Sequence, residues 1–378
     1  MKHKEMNNSE FWDPVIGQNK TKEILNSIYF ARRVPHAFLF YGPDGVGKFF
    51  TAVQYLKLLN SNLDGTAGSK YVKSISALSE PAVKLIFPLP RGKGEGGDDS
   101  SYDKLSADTI DLITEQISLL SKNPYYKINL PNANTIKISS IRDIKKFTNF
   151  SDDSGLKKGV IIYDAHLMAD EAQNALLKSL EEPPEDVIFF LITSNRERLL
   201  PTIHSRCWQV LFNPLSGEQI IEILMKHFEL DEKKSKLLAA FSDGSLTNAV
   251  TLLKYDFDLM LSAAVQAIRF SLVKKFYLAN KVIEDSIDVS DKEQVKFFVG
   301  IILTWLRDVN KNKYTGGLDS FTGYRDTVEK FNAKFGNADI PKTIFKLEQL
   351  FRNIESNLNL NIILLGIIFE LSSLALRK

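Results

Sequence analysis

Over the first 212 residues, short unbroken apolar runs alternate with stretches of helical spacing; after Asn213-Pro214 only the helical spacing remains. Ala37-Phe38-Leu39-Phe40-Tyr41, Gly159-Val160-Ile161-Ile162-Tyr163 and Val187-Ile188-Phe189-Phe190-Leu191-Ile192-Thr193 are too short for ordinary helices and lack polar alternation. They read as strands buried on both faces. Apolar positions three and four apart predict helices over 49–59, 106–120, 140–147 and 170–180. Asn123-Pro124 stops the second of these, and Glu181-Glu182-Pro183-Pro184 closes the last. Ile136-Lys137-Ile138 alternates and is expected as a brief strand. Residues 87–101 hold too many glycines and prolines for a regular element, and are expected as a mobile surface loop carrying little of the core.

Strands alternating with helices predict an α/β domain, a parallel sheet covered by helices whose ligand edge lies at the carboxyl ends of the strands. Gly47, Asp164 and Asn195 all fall at such ends. The chain therefore divides into an α/β domain over 1–212, a small helical domain over 213–258 and a larger all-α domain over 259–378. In the second, Gly244 separates helices.

With 44% hydrophobic and 25% charged residues, the 378-residue chain has the composition of a globular protein rather than a disordered one. Its 48 basic and 46 acidic residues leave a net charge of +2, so no global field points to nucleic acid and any such contact must come from a local patch. Arg142, Lys145 and Lys146, with Lys157-Lys158 close behind, form either such a patch or a solvated face. The start of the chain has no apolar core of a secretory signal, and the apolar stretch 358–376 is interrupted by Asn361, Glu370, Ser372 and Ser373. The expected location is the cytoplasm, with no membrane partner. Cys207, the one cysteine, excludes an internal disulfide and a cysteine-rich zinc cluster, and is expected as a small buried hydrophobe rather than a reactive thiol. His166 and His204 lack the spacing of a metal pair and are expected to pack or hydrogen-bond.

Between the first strand and its helix lies Gly42-Pro43-Asp44-Gly45-Val46-Gly47-Lys48. In a G-x-x-x-x-G-K-[ST] loop the backbone N–H groups surround phosphates, the lysine reaches the terminal ones, and the hydroxyl that follows holds Mg²⁺. Here Phe49 stands in place of that hydroxyl, and phenylalanine cannot ligate a metal.

Asp164-Ala165-His166-Leu167-Met168, then Asn174-Ala175-Leu176-Leu177-Lys178-Ser179-Leu180-Glu181-Glu182-Pro183-Pro184, and downstream Ser205-Arg206-Cys207, resemble the polymerase III clamp-loader subunits of the AAA+ family. The resemblance runs from Val15-Ile16-Gly17-Gln18 through Gly244-Ser245-Leu246, and more loosely to the end. Within the family the chain looks most like the delta-prime subunits, in a form without the zinc module. The resemblance implies an AAA+ core, a small helical lid and a helical collar that holds a hetero-pentameric ring together. It also implies gamma/tau-like and delta-like subunits as partners, with the sliding clamp and primed DNA reached through the complex.

On this resemblance Gly42, Gly45, Gly47 and Lys48 cradle a nucleotide. Val15 and Gln18 border its adenine, although the same stretch also reads as a turn packing on the core. Asp164 matches the carboxylate that supports Mg²⁺, but Ala165 replaces the glutamate that activates water in hydrolysing relatives. Asn195, with Thr193 and Ser194, falls at the sensor-one position or simply caps a strand end. Thr247 takes the place of a sensor-two arginine. Phe49, Ala165 and Thr247 thus remove metal ligand, base and charge stabiliser from one site, and ATP or ADP is expected to bind weakly or not at all. Arg206 matches an arginine that serves the neighbouring subunit's nucleotide; read without the family, it is a surface arginine paired with an acid. The implied function is a clamp-loader subunit that completes catalysis in trans. An active gamma/tau-like motor and an AAA+ adaptor outside the polymerase are the alternatives.

Overall fold

The computed structural model describes residues 9–61, 66–94, 96, 99–148, 156–352, 354 and 359–375. Two compact units form, one from Met1–Leu230 with Gly244–Thr247, the other from Asp231–Asp243 with Asn248–Lys378.

The first unit runs through α1 (Ser9–Trp12), α2 (Asn19–Phe30), β1 (Ala37–Tyr41), α3 (Lys48–Leu59), α4 (Thr66–Ser76), β2 (Val83–Ile86), α5 (Ala107–Lys122) and α6 (Ile138–Thr148). It continues with β3 (Lys158–Ile162), α7 (Asp170–Glu181), β4 (Val187–Thr193), α8 (Pro201–His204), β5 (Trp208–Leu211) and α9 (Gly217–Phe228). The strands pair in the order β2-β3-β4-β1-β5, all parallel. Successive side chains leave a strand on opposite faces, so each apolar run feeds two cores. Phe38 and Phe190 meet Tyr55 of α3, with Phe38 stacked on Phe190 at 5.6 Å and Phe40 edge-on to both phenylalanines. Leu39, Val160, Ile162, Phe189 and Leu191 pack on the other face against Ile141 and Ile144 of α6 and Leu176 and Leu180 of α7. Helix starts follow local chemistry: the Ser106 hydroxyl accepts from the Thr109 N–H to cap α5, and Ser216 with Gln219 forms a capping box on α9.

Two sequence expectations give way here. The strand expected at 136–138 shrinks to a single bridge between Ile136 and Met168, because α6 claims Ile138. The loop over 87–101 forms no helix or strand among its described residues, yet it is not peripheral to the core. Phe87 and Leu89 are buried, and Ser101 is tied down by the Asp143 carboxylate. Residues 95, 97 and 98 of this loop lie outside the described residues.

The second unit is helical: α10 (Glu232–Ala240), α11 (Leu246–Leu252), whose first turn belongs to the first unit, α12 (Phe257–Leu272), α13 (Phe276–Glu284), α14 (Lys292–Thr315), α15 (Arg325–Phe335), α16 (Ile340–Arg352) and α17 (Leu360–Ser373). Helix α12 packs on α13, α14 and α17, while α14 packs on α15 and α16. Trp305, Phe298, Leu306, Leu347 and Ile367 lie at the centre. Among the described residues no helix is long and apolar enough to cross a membrane, and no three His, Cys, Asp or Glu side chains gather to hold a metal ion.

Candidate nucleotide-binding site

The glycine loop leaves the carboxyl end of β1 and enters α3, the placement a phosphate loop requires. Glycine is needed at two points of close approach. At Gly42, with φ +139°, a Cβ would stand 2.2 Å from the Phe212 carbonyl oxygen; at Gly45, with φ +69°, it would stand 2.3 Å from the Thr247 nitrogen. The segment carrying Thr247 therefore lies directly against the loop, and the Ser245 hydroxyl donates to the Asp44 carbonyl at 2.8 Å. Gln18 closes the other side. Its side-chain amide donates to the carbonyls of Val46 (3.2 Å) and Asn213 (2.8 Å) and accepts from the Asn213 N–H (3.1 Å). Val15 is buried beside it, its carbonyl accepting from the Lys22 ammonium.

Lys48 is buried, and its ammonium donates to the carbonyls of Gly42 (2.7 Å) and Pro43. Burial lowers its pKa to about 8, against the opposing pull of Asp44 and Asp164. Phe49 is buried with its ring edge-on to Tyr163 at 5.8 Å. The next hydroxyl along α3, that of Thr51, donates to the Gly47 carbonyl at 2.8 Å. Asp164, held at φ +52°, has its carboxyl pushed up to about 6 by burial; Lys127 opposes the shift and Asp44 adds to it. Ala165 is fully enclosed in the core beneath the sheet. At the end of β4 the Thr193 hydroxyl accepts from the Asn195 N–H at 3.0 Å and lies 3.1 Å from His166 Nδ1. Burial lowers the His166 pKa, which favours the neutral ring. Asn195 itself is exposed. His204 pairs with the Arg196 carbonyl at 3.0 Å, so both histidines hydrogen-bond.

Sequence reading missed a cation in this site. The Lys127 ammonium sits 2.6 Å from the Asp44 carboxylate. Burial alone would raise the Asp44 pKa, but Lys127 and Lys48 together hold it below the usual carboxylate value. No local signal could have placed Lys127 there, since 83 positions separate the partners.

Arg206 stands elsewhere. It donates to Glu181 at 2.7 Å, to the Thr202 carbonyl at 3.0 Å and to the Ser205 hydroxyl at 3.4 Å. It precedes Trp208, which pairs with Phe38 near the amino end of β1, whereas the glycine loop follows Tyr41, which pairs with Leu211. At a rise of about 3.3 Å per residue, Arg206 lies roughly 15 Å along the strands from its own loop, toward the amino ends of β1 and β5, whereas the loop leaves the carboxyl end of β1. Cys207 is buried, and burial pushes its thiol up to about 12, which leaves it inert. The five basic residues singled out earlier do not form one surface. Arg142 and Lys145 line a shallow groove of about 220 Å³ with Lys178, while Lys158 is buried and paired with Asp186 at 2.9 Å.

Five parallel strands in the order β2-β3-β4-β1-β5, a glycine loop after β1 and a carboxylate after β3 define an AAA+ nucleotide-binding fold. Residues 17–216 match the family described as DNA polymerase III, delta subunit, and the chain belongs to that clamp-loader-type family. It is 24% identical over 330 residues to DNA polymerase III subunit tau of Bacillus subtilis, covering 82% of this chain and 51% of tau. It is 31% identical over 176 residues to subunit delta' of Pseudomonas aeruginosa, covering 46% of this chain and 42% of that one. A gamma subunit-related protein of Thermotoga maritima aligns over 94% of this chain and 99% of its own at 17% identity, with a TM-score of 0.41. The fold assignment rests on the strand order rather than on that score. The chain spans about half the length of the known relatives it matches.

Proposed function

We propose that this chain is a delta-prime-like clamp-loader subunit that does not hydrolyse ATP itself and offers Arg206 to the ATP of a neighbouring gamma/tau-like subunit. In this reading residues 1–212 are the AAA+ domain, 213–258 the lid and 259–378 the collar. The ring, completed by a delta-like subunit, loads the sliding clamp onto primed DNA. The observation that carries the reading is the placement of Arg206 at the amino ends of the strands, away from a loop at their carboxyl ends that has Phe49 where a metal ligand belongs. A guanidinium there is out of reach of its own loop, yet exposed enough to meet a second subunit once it leaves Glu181. Its planar, permanently charged fork suits the charge that builds on a transferring phosphoryl group.

One observation favours a second reading, an active motor: the match to tau spans 330 residues and that to delta' 176. The purified chain with Mg²⁺ and ATP separates the two. The proposal expects no turnover without partners, and steady hydrolysis by the chain alone would replace it with the motor. Failure to co-purify with gamma/tau-like and delta-like subunits would instead favour an adaptor outside the polymerase.

A further inference from the structure

The turn that follows α5 is built as a rigid object. The Asn123 side-chain oxygen accepts from the Tyr125 N–H at 3.1 Å, its carbonyl accepts from the Tyr126 N–H at 2.8 Å, and its side-chain amide donates to the His227 carbonyl at 3.1 Å. Gln116 of α5 holds the far side, accepting from the Tyr126 hydroxyl at 2.9 Å and the Asn129 N–H at 3.0 Å. Two side chains leave this turn toward the glycine loop. Tyr125 is buried edge-on to Phe50 at 5.6 Å and to His227 at 5.2 Å. A side chain added at Gly47 would stand 3.4 Å from its ring. Its hydroxyl turns toward the Ile16 backbone, within the stretch expected to border adenine, without forming a hydrogen bond of good geometry. Lys127 pairs with Asp44 of the loop and acts electrostatically on Lys48, Asp164 and His166. Gly47 and Lys48, whose N–H groups would cradle a phosphate, are both buried.

We infer that residues 123–129 form an internal strap across the phosphate loop, with Tyr125 occupying the room of a base and sugar and Lys127 bound to the loop's own carboxylate, so that the strap keeps nucleotide out. This goes beyond the missing catalytic groups. Phe49, Ala165 and Thr247 bear on hydrolysis and metal binding, whereas the strap bears on whether a nucleotide enters at all. It does not depend on the trans role of Arg206, and the experiments on that role are blind to it.

The test is titration of the full chain with a fluorescent ADP analogue in Mg²⁺, comparing the natural sequence with Tyr125→Ala and with Lys127→Ala. Truncating buried Tyr125 risks the fold, so thermal unfolding is recorded alongside; the Lys127 side chain is 42% exposed and its removal should be tolerated. Either folded variant should bind the analogue at least ~10-fold more tightly than the natural chain, a difference of about 1.4 kcal/mol. If neither folded variant gains affinity, whether because the natural chain already binds as well or because nothing binds, the strap is not what excludes nucleotide and the inference fails.

Discussion

Asp164 ionises at a place that penalises its charge, and that makes its titration visible in stability. Burial raises its pKa from 3.8 to about 6. The folded state therefore holds the proton more tightly than the unfolded chain, and the contribution is full below about pH 4 and is lost as the pH rises through 6. Asp164→Asn removes this loss. Its stability relative to the natural chain should climb between pH 4.5 and pH 7.5 by up to roughly 2 kcal/mol, less whatever solvent screens at the crevice mouth. Thermal unfolding of both proteins across that range measures the difference, and a flat difference would refute the assignment. At this scale the sequence showed the altered positions 49, 165 and 247 because each falls at a fixed offset in a motif. It concealed Tyr125 and Lys127, which reach the site only through tertiary folding.

Among the elements, the turn after α14 depends on one carboxylate. Asp308 is buried and accepts from the backbone N–H groups of Asp319 (3.1 Å), Ser320 (2.9 Å) and Phe321 (2.7 Å). Asp308→Ala would leave three N–H groups without this acceptor and should destabilise the second unit by about 2–4 kcal/mol, whereas Asp308→Asn, which keeps one acceptor oxygen, should cost less. Urea unfolding measures both, and a loss below ~0.5 kcal/mol for the alanine variant would contradict the role. The strands β1, β3 and β4 were legible as continuous apolar runs because both their faces are covered. The edge strands β2 and β5 escaped notice, since Val83-Lys84-Leu85-Ile86 and Trp208-Gln209-Val210-Leu211 are short and carry polar positions that a half-covered edge tolerates. The burial of Phe87 and Leu89 was hidden for a related reason: glycine-rich composition reports backbone freedom, not what the flanking apolar side chains touch.

For the molecule as a whole, the helical pattern beyond residue 213 was readable, but which helices pair was not, because near-uniform apolar spacing does not specify partners. Helix α17 buries Ile363, Leu364, Ile367, Ile368 and Leu371 yet leaves Ile362 69% and Phe369 53% exposed, and Phe345 of α16 is exposed as well. The collar role predicts that Ile362→Asp with Phe345→Asp abolishes co-purification with gamma/tau-like subunits while changing the stability of the isolated chain by no more than ~0.5 kcal/mol. Unaltered assembly would remove this face from the interface. The central claim is that this subunit's catalytic contribution is made at a neighbour's site, and the DNA-stimulated ATPase of a reconstituted ring carrying Arg206→Ala tests it most directly. The account predicts normal assembly with turnover at the adjoining site reduced by on the order of 10³-fold, seen as loss of that site's share of the total rate. Normal assembly with an unchanged rate would contradict it.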